Sequence, residues 1–134
     1  MKNVRNSVFE TNSSSSHSIH ISKEVTVYDN SLVPNSNGVV YITGGQFGWE
    51  YEEYDDAITK ATYCATPGSG LSHKLLTEAL EKHTGAKEVV IDISKDDYID
   101  HQSCGLLNEL KTVEDVINFI FNPNCILTTD NDNH

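Results

Sequence analysis

EVVIDI, residues 88–93, is a nearly continuous apolar run of strand length, the pattern expected of a strand covered on both faces. A helix signal comes just before it. Ser69 or Ser72 can cap a segment whose apolar face is Leu75, Leu76, Ala79 and Leu80, and Gly85 can supply the left-handed closing residue. After an irregular segment, Thr112 with Asp115 resembles a capping box, with the shorter Asp in place of Glu, ahead of Val113, Val116, Ile117, Ile120 and Phe121, and Asn122-Pro123 stops that helix. CILTT at 125–129 reads as the last strand. The piece from EVVIDI to CILTT has room for a right-handed parallel crossover.

Towards the amino terminus, period-two alternation in SIHIS (18–22) and VTVYD (25–29) predicts two strands. NGVVYIT (37–43) predicts a third, behind a turn signal at Asn37-Gly38 and ended by Gly44-Gly45. From Tyr51 the spacing turns helical, through Tyr54, Ile58, Ala61 and Ala65, until Pro67-Gly68. Residues 30–37 read as a polar loop and TDNDNH at 129–134 as a frayed end. The fold class expected is α+β: a mixed sheet of about five strands with three main helices, mostly on one side, in a single domain spanning 1–134.

Nine Lys and Arg stand against twenty Asp and Glu, a formal net charge of -11. Such a surface repels long nucleic acids and anionic membranes. Its ordinary meaning is solubility; its specific one is mimicry of nucleic acid toward a basic partner, for which the acidic residues of EYEEYDD (50–56) and KDDYID (95–100) are only loosely clustered. Cys64, Cys104 and Cys125 are odd in number and include no CxxC pair, which suits free thiols in a reducing compartment, so a cytoplasmic location is expected. Neither a membrane span nor a signal peptide is expected, since no window approaches 18 apolar residues and MKNVRNSVFETN has no apolar core.

FETNSSSSHSIHI, residues 9–21, carries the chemistry. In an extended chain Ser13, Ser15 and His17 share a face with Ile19 and Ile21, while Ser14, Ser16 and Ser18 point the other way. A half-buried imidazole beside hydroxyls suits proton transfer or the binding of a phosphate oxygen. In a turn instead, Asn12 and the serines would bond neighbouring N–H groups and leave amides aimed at an anion. Serine runs are more often mobile linkers, but Phe9 and Ile19 on either side both need burial.

RNSVFETNSSSSHSI (5–19), FGWE (47–50), YIDHQS (98–103), FIFN (119–122) and TDND (129–132) together resemble a family of small, mostly uncharacterised proteins of bacteria and their phages. The resemblance implies that these five segments belong together around one site. It nominates Arg5, Glu10, Asn12, His17, Trp49, Asp100, His101, Ser103, Asp130 and Asp132. The end TTDND differs from a glycine-containing version associated with the relatives.

Several further constellations are weighed against packing. Adjacent strand residues face opposite ways, so in a strand Asp100 would not orient His101 as a triad carboxylate does, whereas a turn would relax this. Assembled across segments, His17 and His101 with Asp100, Asp130 or Asp132 suit zinc, manganese or iron. Cys104 beside His101 or His17 is a nucleophile candidate with no feature that lowers its pKa. DND lacks the glycine and closing glutamate of a calcium loop. Phe47 and Trp49, in GGQFGWE, can stack on a base, though core cover is the ordinary role of such rings. His73 and His83, near the ends of the second helix, are explained by exposure or capping.

Three functions follow. The leading one is a small-anion binding module, for phosphate or a nucleotide, with a pocket made by Arg5, Glu10, Asn12, Ser13, Ser14, Ser15, Ser16, His17, Trp49 and Ser103; the resemblance adds phage and host antagonism as its setting. The second is a hydrolase or transferase using His17 or His101, with Asp100, Ser15 or a metal. The third is an acidic inhibitor that masks a basic surface of a host protein.

Overall fold

The computed structural model describes residues 15–48, 51–99 and 105–131; at 15, 16, 130 and 131 it describes the backbone alone. The strands are β1 (Ser15–His20), β2 (Val39–Thr43), β3 (Gln46–Phe47), β4 (Glu52–Tyr54), β5 (Glu88–Asp92), β6 (Tyr98–Ile99) and β7 (Ile126–Asn131). The helices are α1 (Ala57–Ala65), α2 (His73–Thr84) and α3 (Val113–Phe121), with a 3-10 turn at Leu106–Glu109. The fold is α+β.

Four ladders build three small sheets among the described residues. β7 lies between β1 and β4, antiparallel to both; β2 pairs with β5 and β3 with β6, each in parallel. The parallel crossover therefore joins β2 to β5 through α1 and α2. It does not run from EVVIDI to CILTT, because the last strand returns antiparallel against β1. β2 and β3 are halves of one chain direction broken at Gly44-Gly45. β5 and β6 are broken opposite by the 94–97 turn, where Asp97 accepts from Ser94 N at 2.7 Å. A Cβ at Gly44 would lie 2.6 Å from the Asp97 carboxylate, so a side chain there would push Asp97 out of its place in the turn.

The helix caps are as expected. Ser72 accepts from Leu75 N, Gly85 closes α2 at φ 78°, and Thr112 with Asp115 completes the capping box of α3. α1 begins later than its spacing predicts, at Ala57 with Asp56 as N-cap, because Tyr51 and Tyr54 belong to or border β4. VTVYD is not a strand: the segment is an exposed loop, with Val27 69% accessible. Among the described residues its alternation finds no partner strand, and the loop is instead tied to the end of α3. Asn122 Nδ2 donates to Ser22 O and Glu24 O, Asn124 Nδ2 to Glu24 O, and Asp29 N to Phe121 O.

β5 is also less covered than a near-continuous apolar run implies. Val89 and Ile91 pack on the core, while Val90 lies beside Tyr41, which is 63% exposed on the open face of a two-stranded ladder. β7 continues through Asn131, so the first three residues of TDNDNH are strand and not a frayed end.

One hydrophobic cluster joins the elements, from Val40 and Ile42 through Ala61, Leu76 and Leu80 to Phe119, Ile120 and Leu127. Lys60 lies fully buried inside it. Its ammonium donates to Asn122 O and Cys125 O, each at 2.9 Å, and sits 5.6 Å from the Phe119 ring centroid. The last carbonyls of a helix lack intrahelical partners, and here an internal cation serves the turn that ends α3. Burial lowers the Lys60 pKa. No helix among the described residues is long and apolar enough to cross a membrane.

Candidate functional site

Strand parity places His17 and Ile19 on the inner face of β1, and Ser18 and His20 outside, as the alternation predicts. Across the ladder His17 is opposite Thr129, and Thr129 is opposite Glu52; one step along, Ile19, Leu127 and Tyr54 form the next row. The inner face thus passes from apolar at Leu127 to polar at His17 and Thr129. Residues directly opposite in such a pair have Cβ atoms roughly 5 Å apart.

Beneath this row is Tyr63 of α1. Small neighbours, Ala57, Ala61, Cys64 and Ala65, let α1 approach closely, and Tyr63 is wholly buried. Its hydroxyl lies 3.0 Å from His17 Nδ1, with the rings tilted at a centroid distance of 6.0 Å. Phe47 packs edge-on against Tyr63 at 5.0 Å and against Tyr54 at 6.0 Å, so this ring is core cover. Burial holds the Tyr63 phenol far above the usual tyrosine range. It therefore stays a neutral hydroxyl, which can donate to Nδ1. In that arrangement the neutral imidazole carries its hydrogen on Nε2, the polarity needed to meet an anionic oxygen.

Of the residues nominated from sequence, Arg5, Glu10, Asn12, Ser13, Ser14, Trp49, Asp100, His101, Ser103, Cys104 and Asp132 lie outside the described residues. Ser15 is in phase with His17 along β1 and opposite Asn131, while Ser16 is opposite Asp130. Position 130 is thus out of phase with His17. Among the described residues no three His, Cys, Asp or Glu side chains converge as a metal site.

Contacts among the described residues link parts of two of the nominated segments to β1. Phe47 pairs with Ile99 in the β3–β6 ladder and packs on Tyr63, which meets His17; the 3-10 turn after Gly105 touches β1. Gly105 is itself fixed, its N–H donating to Gly68 O at 3.2 Å. FIFN serves another purpose: Phe119, Ile120 and Phe121 fill the core, and Asn122 holds the Ser22–Glu24 loop.

Tyr63 and Thr129 are the site residues that sequence reasoning missed. The available signal for Tyr63 was the single aromatic ring in the helix AITKATYCA; its contact with His17 spans 46 positions. Cys64 and Cys125 are free and buried, and burial pushes the Cys64 thiol up, which makes it inert. His73 bonds Ala65 O at 3.0 Å, at the end of the preceding helix. His83 is neither a cap nor merely exposed: it stacks on Phe121 at 4.0 Å. In the acidic clusters, Asp56 is taken up as the N-cap of α1 and Asp97 by the 94–97 turn, leaving fewer carboxylates for display. No family model, curated protein or solved structure matches the chain.

Proposed function

We propose that the protein binds a small anionic ligand of the phosphate or nucleotide class at the polar end of the β1–β7 inner face. The observation that supports this reading best is the His17–Tyr63 pair. A buried hydroxyl fixes the orientation of an imidazole at the start of the core face, directly after a run of four serines. A pre-oriented imidazole that follows four serines in the sequence suits a local oxyanion, whereas a net charge of -11 disfavours a long polyanion. The resemblance to proteins of bacteria and their phages adds antagonism between phage and host as the setting.

Calorimetric titration of the full chain with inorganic phosphate and a panel of nucleotides tests the proposal. At 100 times its dissociation constant a bound anion should stabilise the fold by about 2.7 kcal/mol. His17→Ala should weaken binding at least tenfold while the variant still melts cooperatively. Absence of binding across the panel, or equal affinity in the variant, would contradict the proposal. Release of product from a nucleotide would move it to the hydrolase reading.

A further inference from the structure

The parallel ladder of β2 and β5 has two unlike faces. Val40, Ile42, Val89 and Ile91 alternate inward, where α1 packs on β2 and α2 on β5, and join the hydrophobic cluster. The residues between them point the other way. Val39 is opposite Glu88, Tyr41 opposite Val90, and Thr43 opposite Asp92, so the outer face is a central row of Tyr41 and Val90 with a carboxylate at each end of β5. That face is open: Tyr41 is 63% accessible, Thr43, Glu88 and Asp92 are exposed, and Val39 and Val90 are half-buried. Parallel ladders are ordinarily covered on both faces. Here the crossover from β2 to β5 sends both of its helices to the inner side.

The dimensions of the face limit what can cover it. Five residues per strand, at roughly 3.3 Å each, make a strip roughly 17 Å long and two strands wide, well short of the roughly 800 Å² that each partner contributes to a stable interface. Such a strip suits a short extended segment. Along β5, Glu88 and Asp92 are four residues apart, roughly 13 Å, with Val90 midway. A second extended chain laid along the strip has the same period, so its side chains at i, i+2 and i+4 come over Glu88, Val90 and Asp92. Charge selects the chemistry of those side chains. A second copy of this chain would bring a net charge of -11 against Glu88 and Asp92, and anionic lipid or nucleic acid meets the same repulsion. Cations at i and i+4 with an apolar side chain at i+2 are complementary.

We infer that the outer face of the β2–β5 ladder docks an extended cationic segment of a partner protein, with lysine or arginine at two positions four residues apart and an apolar residue between them. The cations pair with Glu88 and Asp92. The central side chain packs on Tyr41 and Val90 and removes their apolar surface from water. Exposed ion pairs contribute a factor of up to about five each, so the contact is weak and sensitive to salt. None of the residues of the anion site takes part.

Heteronuclear NMR of the full chain, titrated with the peptide acetyl-Arg-Thr-Val-Thr-Arg-amide, tests the inference. Two control peptides keep its length: one has glutamate in place of both arginines, and one has the same composition with the arginines adjacent. Amide resonances of residues 39–43 and 88–92 should shift saturably with millimolar affinity. The glutamate peptide should leave them unmoved, and the rearranged peptide should bind about fivefold more weakly, because one cation then loses its carboxylate. Raising salt from about 0.05 M to about 0.5 M should weaken binding severalfold. Glu88→Gln combined with Asp92→Asn should cost about tenfold at an unchanged melting temperature. Tyr41→Thr, which keeps the preference for a strand, should cost about threefold. Equal binding of either control peptide, shifts spread over the whole acidic surface, affinity indifferent to salt or to the carboxylate variant, or no shift at tens of millimolar peptide would overturn the inference. So would a dimer formed through residues 39–43 and 88–92 by the chain alone.

Discussion

Lys60 shows what a single residue can settle. It shares the buried face of α1 with Ala57, Ala61 and Cys64, whereas the spacing through Ile58 pointed to a neighbouring face, and its partners lie 62 and 65 positions away, beyond the reach of local pattern. Lys60→Met removes the cation and leaves the carbonyls of Asn122 and Cys125 in the core. Losing a buried hydrogen-bond partner costs about 1–3 kcal/mol, partly offset by no longer burying a charge. Lys60→Met should therefore lower stability by about 2 kcal/mol in urea unfolding. No loss of stability would mean that the ammonium does not hold the end of α3. His17 had the opposite fate in sequence: strand parity alone put it on the inner face. Tyr63 stayed hidden because only the packing of α1 beneath β1 and β7 brings it there.

At the scale of elements, local chemistry was readable and pairing was not. The caps at Ser72, Gly85 and Thr112 depend on residues within one turn, so the sequence carries them whole. VTVYD has the alternation of a strand but no neighbour to pair with, and Tyr51 and Tyr54 imitate helical spacing while one of them sits in β4. What fixes such elements is long-range. The crossing of 66–71 over the segment after Gly105 is one example: Gly70 has φ 93°, and a Cβ there would stand 2.4 Å from Gly105 Cα. Leu107 N donates to Ser69 O at 2.7 Å in the same crossing. Gly70→Ala combines a left-handed backbone with a clash against main chain and should cost at least about 2 kcal/mol. A melting temperature equal to that of the parent would show that the two segments do not cross so closely.

For the whole molecule, pH is the clearest lever. Asp29 is held below its ordinary value of 3.8, chiefly by the Ala57 amide, and His83 below 6.5 by burial. Both folded-state values are depressed, so the unfolded chain binds more protons and stability falls with falling pH. The His83 contribution is complete above 6.5 and is lost as pH drops from there through its folded value. That of Asp29 is complete above 3.8 and disappears below it. Urea midpoints should therefore decline in two steps on acidification, the upper one absent in His83→Phe and the lower one in Asp29→Asn. A midpoint that holds steady from neutral pH to the first of these values and below would contradict the burial of His83. The three-helix, mixed-strand class was readable from composition and periodicity, whereas the division of the strands into three small sheets required contacts that periodicity does not encode.

The central claim is that His17, oriented by Tyr63, receives an oxyanion. The most direct measurement is long-range 1H–15N NMR of the His17 ring during titration with inorganic phosphate. Nε2 should carry the hydrogen in the free protein, and its resonance should move saturably with phosphate. In Tyr63→Phe the ring should lose its fixed tautomer and bind more weakly. A His17 ring that ignores phosphate at saturating nucleotide and phosphate concentrations, or that responds identically in Tyr63→Phe, would contradict the claim.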